Sequence, residues 1–217
     1  PAYNNNMYVG YMYTKGEAHG TKISSTIKTN VDKFYADKLS GYASKLDINV
    51  GFCGDRSTLN LQSGVGIGSV ITYNKGYLRV EESSPTLTCE NESDYYTISN
   101  VSNGNKSLNY PVGLITADEV MLAGHAGGVF DGVFNHQKVN KGSYLLVGNN
   151  FWTMTPSGGY NPLGVTYWDV HVFFVGSSGI IDDLNVSNAY GLRPVINIRS
   201  DVKIIGSGTQ NDPYVVN

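Results

Sequence analysis

Charge is scarce in this chain. Asp, Glu, Lys and Arg make up 15% of its 217 residues, and the net charge is −3 with a pI near 5.8. Lys and Arg are scattered, so no basic stripe marks a nucleic-acid or anionic-membrane partner. Long apolar runs are missing too, and no direct membrane insertion is expected. Only two cysteines are present, Cys53 in "GFCGDRS" and Cys89 in "PTLTCEN". Neither has CxxC spacing, which leaves zinc and thioredoxin-like chemistry without local support. His19, His125, His136 and His171 sit in unrelated contexts, with no HExxH or His-x-His spacing, so no metal cluster is expected. "GVGIGS" lacks the final glycine of GxGxxG and reads as a loop rather than a phosphate cradle. There is no GxSxG elbow and no SxxK pair. No cofactor is expected. No signal peptide precedes Pro1, but an opening "PAYNNN" reads as an excised fragment, so that absence is silent about export.

What is abundant is neutral and polar. The chain carries 26 Gly and 16 Tyr with many Asn, Ser and Thr. Tyr gives large contact area at low entropy cost and small polar residues adapt, which is why this mixture dominates binding loops. It is equally the surface of an extracellular bacterial β-protein, and composition does not separate the two. An even cysteine count in such a chain favours a Cys53–Cys89 disulfide and an oxidising compartment, with two buried free thiols as the alternative.

Periodicity divides the chain. "MYVGYMYT" alternates and predicts a first strand. In "SSTIKTNVDKFYADKLSG" the residues Ile27, Val31, Phe34, Tyr35 and Leu39 fall at helical spacing, Ser25 or Thr26 can cap the start and Gly41 can end it. Residues 48–110 show no sustained period and predict a loop-rich insertion with short strands at "SVITY" and "GYLRV". Thr116 and Glu119 form a capping box before a short helix that Gly124 terminates. The strand-like runs "SYLLVG", "FWTMTPS", "YWDVHVFFVGSSGIIDD" and "GLRPVINI" follow, then a closing hairpin in "VKIIGSGTQNDPYVV". Two early helices and a cluster of late antiparallel strands make an α+β domain spanning 1–217.

"YGLRPVINI" raises a physical question. An unpaired buried guanidinium is costly and proline donates nothing to a ladder, so this is a strand start at which Arg193 meets a built partner.

The order of these elements, with "FWTMTPS", the "WxVxxxxVGSSG" hairpin and a terminal "GLRP" strand, resembles the bacterial branch of the C-type lectin fold. That branch includes formylglycine-generating-enzyme-like domains and the variable proteins of diversity-generating retroelements. "GFCGDRS", "YPVGLITADE" and "GLRPVI" are similar to segments of Firmicutes surface and pilin-like proteins. The resemblance is most specific from Tyr110 to Ile198 and weak across 58–109. It implies that the first strand, Met7 to Thr14, pairs with the strand from Gly191 to Ile198, that Trp152 is buried near the centre, and that Arg193 is a framework residue at the foot of the ligand-binding hairpins. It also implies that diversified positions, where they exist, lie just before the Gly-x-Arg-Pro strand.

Strand alternation then selects a face. With Val170, Val172 and Phe174 inward, Asp169, His171 and Phe173 point outward. The expected ligand-binding set is Tyr160, Asn161, Tyr167, Trp168, Asp169, His171, Phe173, Asp182, Asp183, Asn185, Asn188 and Tyr190. Asp182 and Asp183 have calcium-ligand chemistry, but the Glu-Pro-Asn and Trp-Asn-Asp signatures of calcium-dependent lectins are absent, so they read as a solvated turn. The cysteine-oxidising branch uses a reactive cysteine pair near the C-terminal end, and here no cysteine follows Cys89. The expectation is a non-catalytic extracellular domain, displayed at a bacterial or phage surface, that binds a protein or surface glycan. The alternatives are a structural domain of a pilin-like or cell-wall protein, and an unrecognised hydrolase.

Overall fold

A computed structural model describes residues 10–14, 17–59, 71–125, 143–146, 148–160, 169–209 and 211–216; the side chains of Ile71, Thr72, Tyr160 and Asp169 lie outside the description. The first described elements are β1 (Met12–Tyr13), β2 (Ile23–Ser24) and α1 (Thr26–Phe34). Next come β3 (Phe52–Cys53), β4 (Ile71–Tyr73), α2 (Lys75–Glu81), β5 (Tyr95–Tyr96), β6 (Gly113–Leu114) and α3 (Ala117–Leu122). The last part holds β7 (Phe151–Tyr160), β8 (Asp169–Val175), β9 (Ile181–Asn185), β10 (Pro194–Val195), β11 (Ile204–Ile205) and β12 (Val215–Val216). This is a mixed α+β arrangement of short helices and small antiparallel sheets.

Local signals set the helix starts. The Ser25 hydroxyl accepts from the Lys28 N–H and donates to the Tyr11 carbonyl at 2.7 Å, which caps α1 and ties it to the strand before it. Thr116 and Glu119 close a capping box on α3, and Gly124 follows with φ of +91°, a left-handed turn that suits glycine. Gly41 does not end the first helical stretch. A π turn over Tyr35–Leu39 passes into a 3-10 turn over Ser40–Lys45, and Gly41 lies inside it.

The central sheet has four antiparallel strands in the order β4-β7-β8-β9. β7 and β8 form a long hairpin whose register shifts on either side of Pro156, as expected where a ladder donor is missing. α2 and α3 pack on one face of this sheet, with Val80, Val120, Met121, Phe151, Phe173, Val175 and Ile181 in one buried cluster. The opposite face carries Trp152, Val170, Val172 and Phe174, backed by Tyr190 and Leu192. A third cluster joins Tyr11, Val31 and Tyr35 to Phe52, Tyr96 and Leu114. Trp152 is buried, packed with Val170, Val172 and Phe174 on one face of the sheet.

Three expected elements differ. "GYLRV" is a helix, because Tyr77 and Val80 at i, i+3 both face the core while Arg79 reaches Asp118 and Asp55. "SYLLVG" forms no strand among its described residues; the Ser143 hydroxyl accepts from Leu145 N–H and holds a turn that buries Leu145. The Met7–Thr14 strand does not pair with Gly191–Ile198 among the described residues. β1 folds back on β2, and β10 pairs with β6 instead. The near-sequence hairpin wins: the turn after Thr14 brings Gly20 so close that a Cβ there would lie 2.2 Å from Thr14 Cβ, so only glycine fits.

Among the described residues the segment 48–110 is loop-rich, yet it supplies the most buried ion pair. Arg56, 2% exposed, donates from Nε and Nη2 to Asp94 Oδ1 and from Nη1 to the carbonyls of Met12 and Gly20. Asp94 also meets His19 at 2.7 Å, and the Arg56 guanidinium lies over the Tyr96 ring. The Cys53–Cys89 disulfide is formed beside this network, with a Cα–Cα distance of 5.6 Å. The closing hairpin β11–β12 is present and leaves Ile204, Ile205, Tyr214 and Val215 exposed. Among the described residues no helix is long and apolar enough to cross a membrane.

Candidate functional site

β8 is a strand buried on both faces. Alternation places Val170, Val172 and Phe174 with Trp152, as expected, but Phe173 does not point to solvent. It is 3% exposed and packs with Phe151, Val175 and Ile181 in the cluster capped by α2 and α3. The period of two was right and the assumption of a solvated second face was not, because α2 arises in a segment whose sequence reads as strand and loop.

Two residues before Phe173, on the same face, the apolar cover gives way to polar groups. His171 Nδ1 lies 2.9 Å from Asp183 Oδ2, and the Ser157 hydroxyl donates to the same oxygen at 2.8 Å. The three residues come from three adjacent strands, β7, β8 and β9, so the sheet itself fixes their spacing. Asp183 is opposite Phe173 in register, and Asn185 is opposite His171. α2 closes the side of this cluster: burial above all, then Glu81, Tyr73 and Asp183, pushes the Tyr77 phenol up to about 12, and the Tyr73 and Tyr77 rings lie 4.5 Å apart. The Asp183 side chain is 7% exposed and the His171 side chain 33%. Asp183 Oδ1 is buried and accepts no hydrogen bond among the described residues.

This arrangement is a polar cluster in which a nearly buried carboxylate braces one part-exposed histidine. It suits recognition of a hydrogen-bonding group at the histidine. It does not form an acyl-transfer relay, in which histidine stands between serine and carboxylate. Here the carboxylate stands between the other two, and Ser157 is 1% exposed.

Of the other expected contact residues that are described, only Asn185 stays beside His171. Asp182 faces the Trp152 side; its Oδ1 accepts from the Asp183 N–H, and burial foremost raises its carboxyl above the ordinary value. Asn185 and Asn188 build a turn, with the Asn188 side chain donating to the Asn185 carbonyl at 2.9 Å. The Tyr190 ring is half-buried, 4.8 Å from both Trp152 and Phe174, so it props the core edge rather than standing free. Tyr160 and Asp169 pair at the end of the β7–β8 hairpin, and their side chains lie outside the described residues, as do Asn161, Tyr167 and Trp168 altogether. Ser157 and Tyr77 joined the site without a sequence signal: the first is displaced in register by the bulges at Pro156, the second belongs to the unexpected helix.

Two further features frame the site. An apolar cavity of about 420 Å³ lies on the Trp152 side of the sheet, between Tyr11, Ile27, Trp152, Met154 and Val172. Among the described residues no three His, Cys, Asp or Glu side chains converge as metal ligands do. Comparison with family models, curated proteins and solved structures returns no match for this chain.

Proposed function

We propose that this chain is a non-catalytic, extracellular ligand-binding domain of C-type-lectin type, displayed at a bacterial or phage surface, with its contact face built around His171, Asp183 and Asn185. The observation that carries this reading is the part-exposed His171 ring, braced by the buried Asp183 carboxylate that Ser157 also holds from the neighbouring strand. A ring fixed in this way meets a ligand at little ordering cost, and suits a hydrogen-bonding group such as a glycan hydroxyl or a protein amide. The disulfide is compatible with an oxidising compartment. The placement of Ser157 speaks for binding over hydrolysis, since its hydroxyl is spent on Asp183. The C-type-lectin reading draws on the long β7–β8–β9 sheet that follows three short helices.

The reading is tested by immobilising the wild-type chain and a His171→Ala/Asn185→Ala variant against host and microbial surface extracts. A ligand retained by the first and lost by the second supports it; identical capture by both overturns the assigned face. Retroelement diversification of this face has its own test. A reverse transcriptase gene and a near-repeat of the segment encoding Tyr160 to Ile198 would lie beside the gene.

A further inference from the structure

The chain has four arginines, and three of them are neutralised in place. Arg56 pairs with Asp94, Arg79 with Asp55 and Asp118, and Arg199 with Asp201. Arg193 is the exception. Its guanidinium lies 5.0 Å from the Phe151 ring centre and 5.8 Å from that of Tyr144. Its hydrogen bonds run from Nη1 to the carbonyls of Leu145 at 3.3 Å and Tyr144 at 3.5 Å, both beyond the usual N–H···O range. Nε and Nη2, the edge that fits a carboxylate with two parallel bonds, donate to no acceptor among the described residues. The group is half-buried, and burial lowers its pKa, the opposite of what a carboxylate partner does at Arg79 and Arg199.

The sequence argument held that such a cation needs a partner. The protein supplies two rings and two distant carbonyls, and beside them an empty space. A pocket of about 250 Å³ opens at Arg193, walled by Ile115, Tyr144, Leu145, Val195 and Ile196. Apart from the guanidinium and the Tyr144 hydroxyl, the side chains that line it are apolar. A sugar acid would leave its hydroxyl groups without partners there. A carboxylate on an aliphatic body matches both parts, the fork for the charge and the wall for the side chain.

We infer that Arg193 and this pocket form a binding site for an apolar monocarboxylate, of the size of a branched aliphatic acid or the C-terminal apolar residue of a peptide. The site lies at the Phe151 end of β7, away from Ser157 and His171, and stands independently of the contact face proposed above. The guanidinium is planar by its own delocalisation, and the two rings beside it limit its freedom before the ligand arrives, so little order is lost on binding.

Calorimetric titration of the wild-type chain with N-acetyl-L-leucine, isovalerate, N-acetyl-L-leucinamide and glucuronate tests this. Both aliphatic acids bind and the amide binds about tenfold more weakly or worse, because it cannot accept two charge-assisted bonds. Tighter binding of N-acetyl-L-leucine than isovalerate identifies a peptide C-terminus as the source, and the reverse order a free acid; either supports the site. Arg193→Gln weakens N-acetyl-L-leucine about tenfold or more, and Arg193→Lys by less, since an ammonium keeps the charge but not the fork. Tyr144 is exposed, so Tyr144→Glu sets an internal carboxylate beside the guanidinium without touching the core. It blocks binding while the melting temperature holds, which keeps the test decisive if Arg193→Gln fails to fold. Equal binding of acid and amide, tighter binding of glucuronate, unchanged affinity in Tyr144→Glu, or no binding of either aliphatic acid to the wild type overturns the inference.

Discussion

Replacing Asp94 by alanine is the sharpest perturbation of this fold. Asp94 is fully buried and accepts from the Arg56 N–H, Nε and Nη2 at 2.8 to 2.9 Å, and it also meets His19. Its removal strands a guanidinium that is 1% exposed, with only the Met12 and Gly20 carbonyls left to receive it. Breaking one side of such a pair costs about 3–5 kcal/mol, chiefly because the remaining charge stays out of water. For a chain of this length each kcal/mol moves the melting temperature by about 2–4 °C, so the loss is on the order of 10 °C. Arg56→Met/Asp94→Leu removes both charges, and the cost of an uncompensated ion disappears with them. The double variant is therefore expected to melt above Asp94→Ala although it carries more changes. Circular dichroism melts of the wild type, Arg56→Met, Asp94→Leu and the double variant complete the cycle, with Asp94→Ala melted beside them. An Asp94→Ala protein within about 2 °C of wild type, or a double variant that melts lower than either single one, refutes this account of the network.

Three further outcomes follow from the same geometry. Reduction of the Cys53–Cys89 bond, which spans 36 residues, lowers stability by about 3–4 kcal/mol on the chain-entropy account; thiol titration before and after denaturation shows none until a reductant is added. Phe173→Ala unfolds the protein more than it affects any contact, at about 3–5 kcal/mol, whereas His171→Ala, at a part-exposed ring, costs about 1–2 kcal/mol through the partner that Asp183 loses; urea titration separates them. Asp182 has a carboxyl raised by burial, so the stability it lends is present in acid, below its unfolded value, and is lost as pH rises through the folded one; Asp182→Asn gains on the wild type at about pH 7 and not at about pH 3 when melts are compared.

What the sequence made legible was local. Ser25 and the Thr116–Glu119 box mark helix starts because their bonds close within one turn, and the β8–β9 hairpin announces itself through a short Gly-Ser-Ser-Gly turn. The Cys53–Cys89 bond was readable because two cysteines leave one pairing. The rest depends on contacts between distant residues. Arg56 and Asp94 are 38 positions apart, and "GDR" carries no mark of a fully buried arginine. The same blindness hid the cover over Phe173, since α2 competes as strand in a five-residue window and tertiary contacts of Tyr77 and Val80 decide for helix. Site residues fared likewise. His171 and Asp183 were named separately, but their junction through Ser157 needed the Pro156 bulges, which no alternation pattern shows.

The central claim is that this chain binds through the His171 face and performs no chemistry there. Labelled wild-type protein, His171→Ala/Asn185→Ala and Val31→Ala as a core control are applied to one array of glycans and extracellular proteins, with the bound ligands recovered and weighed by mass spectrometry. The account predicts at least one ligand held by the wild type and the core control, about tenfold weaker or worse with the face variant, and recovered intact. Ligands bound equally by all three proteins, or recovered cleaved, would contradict it.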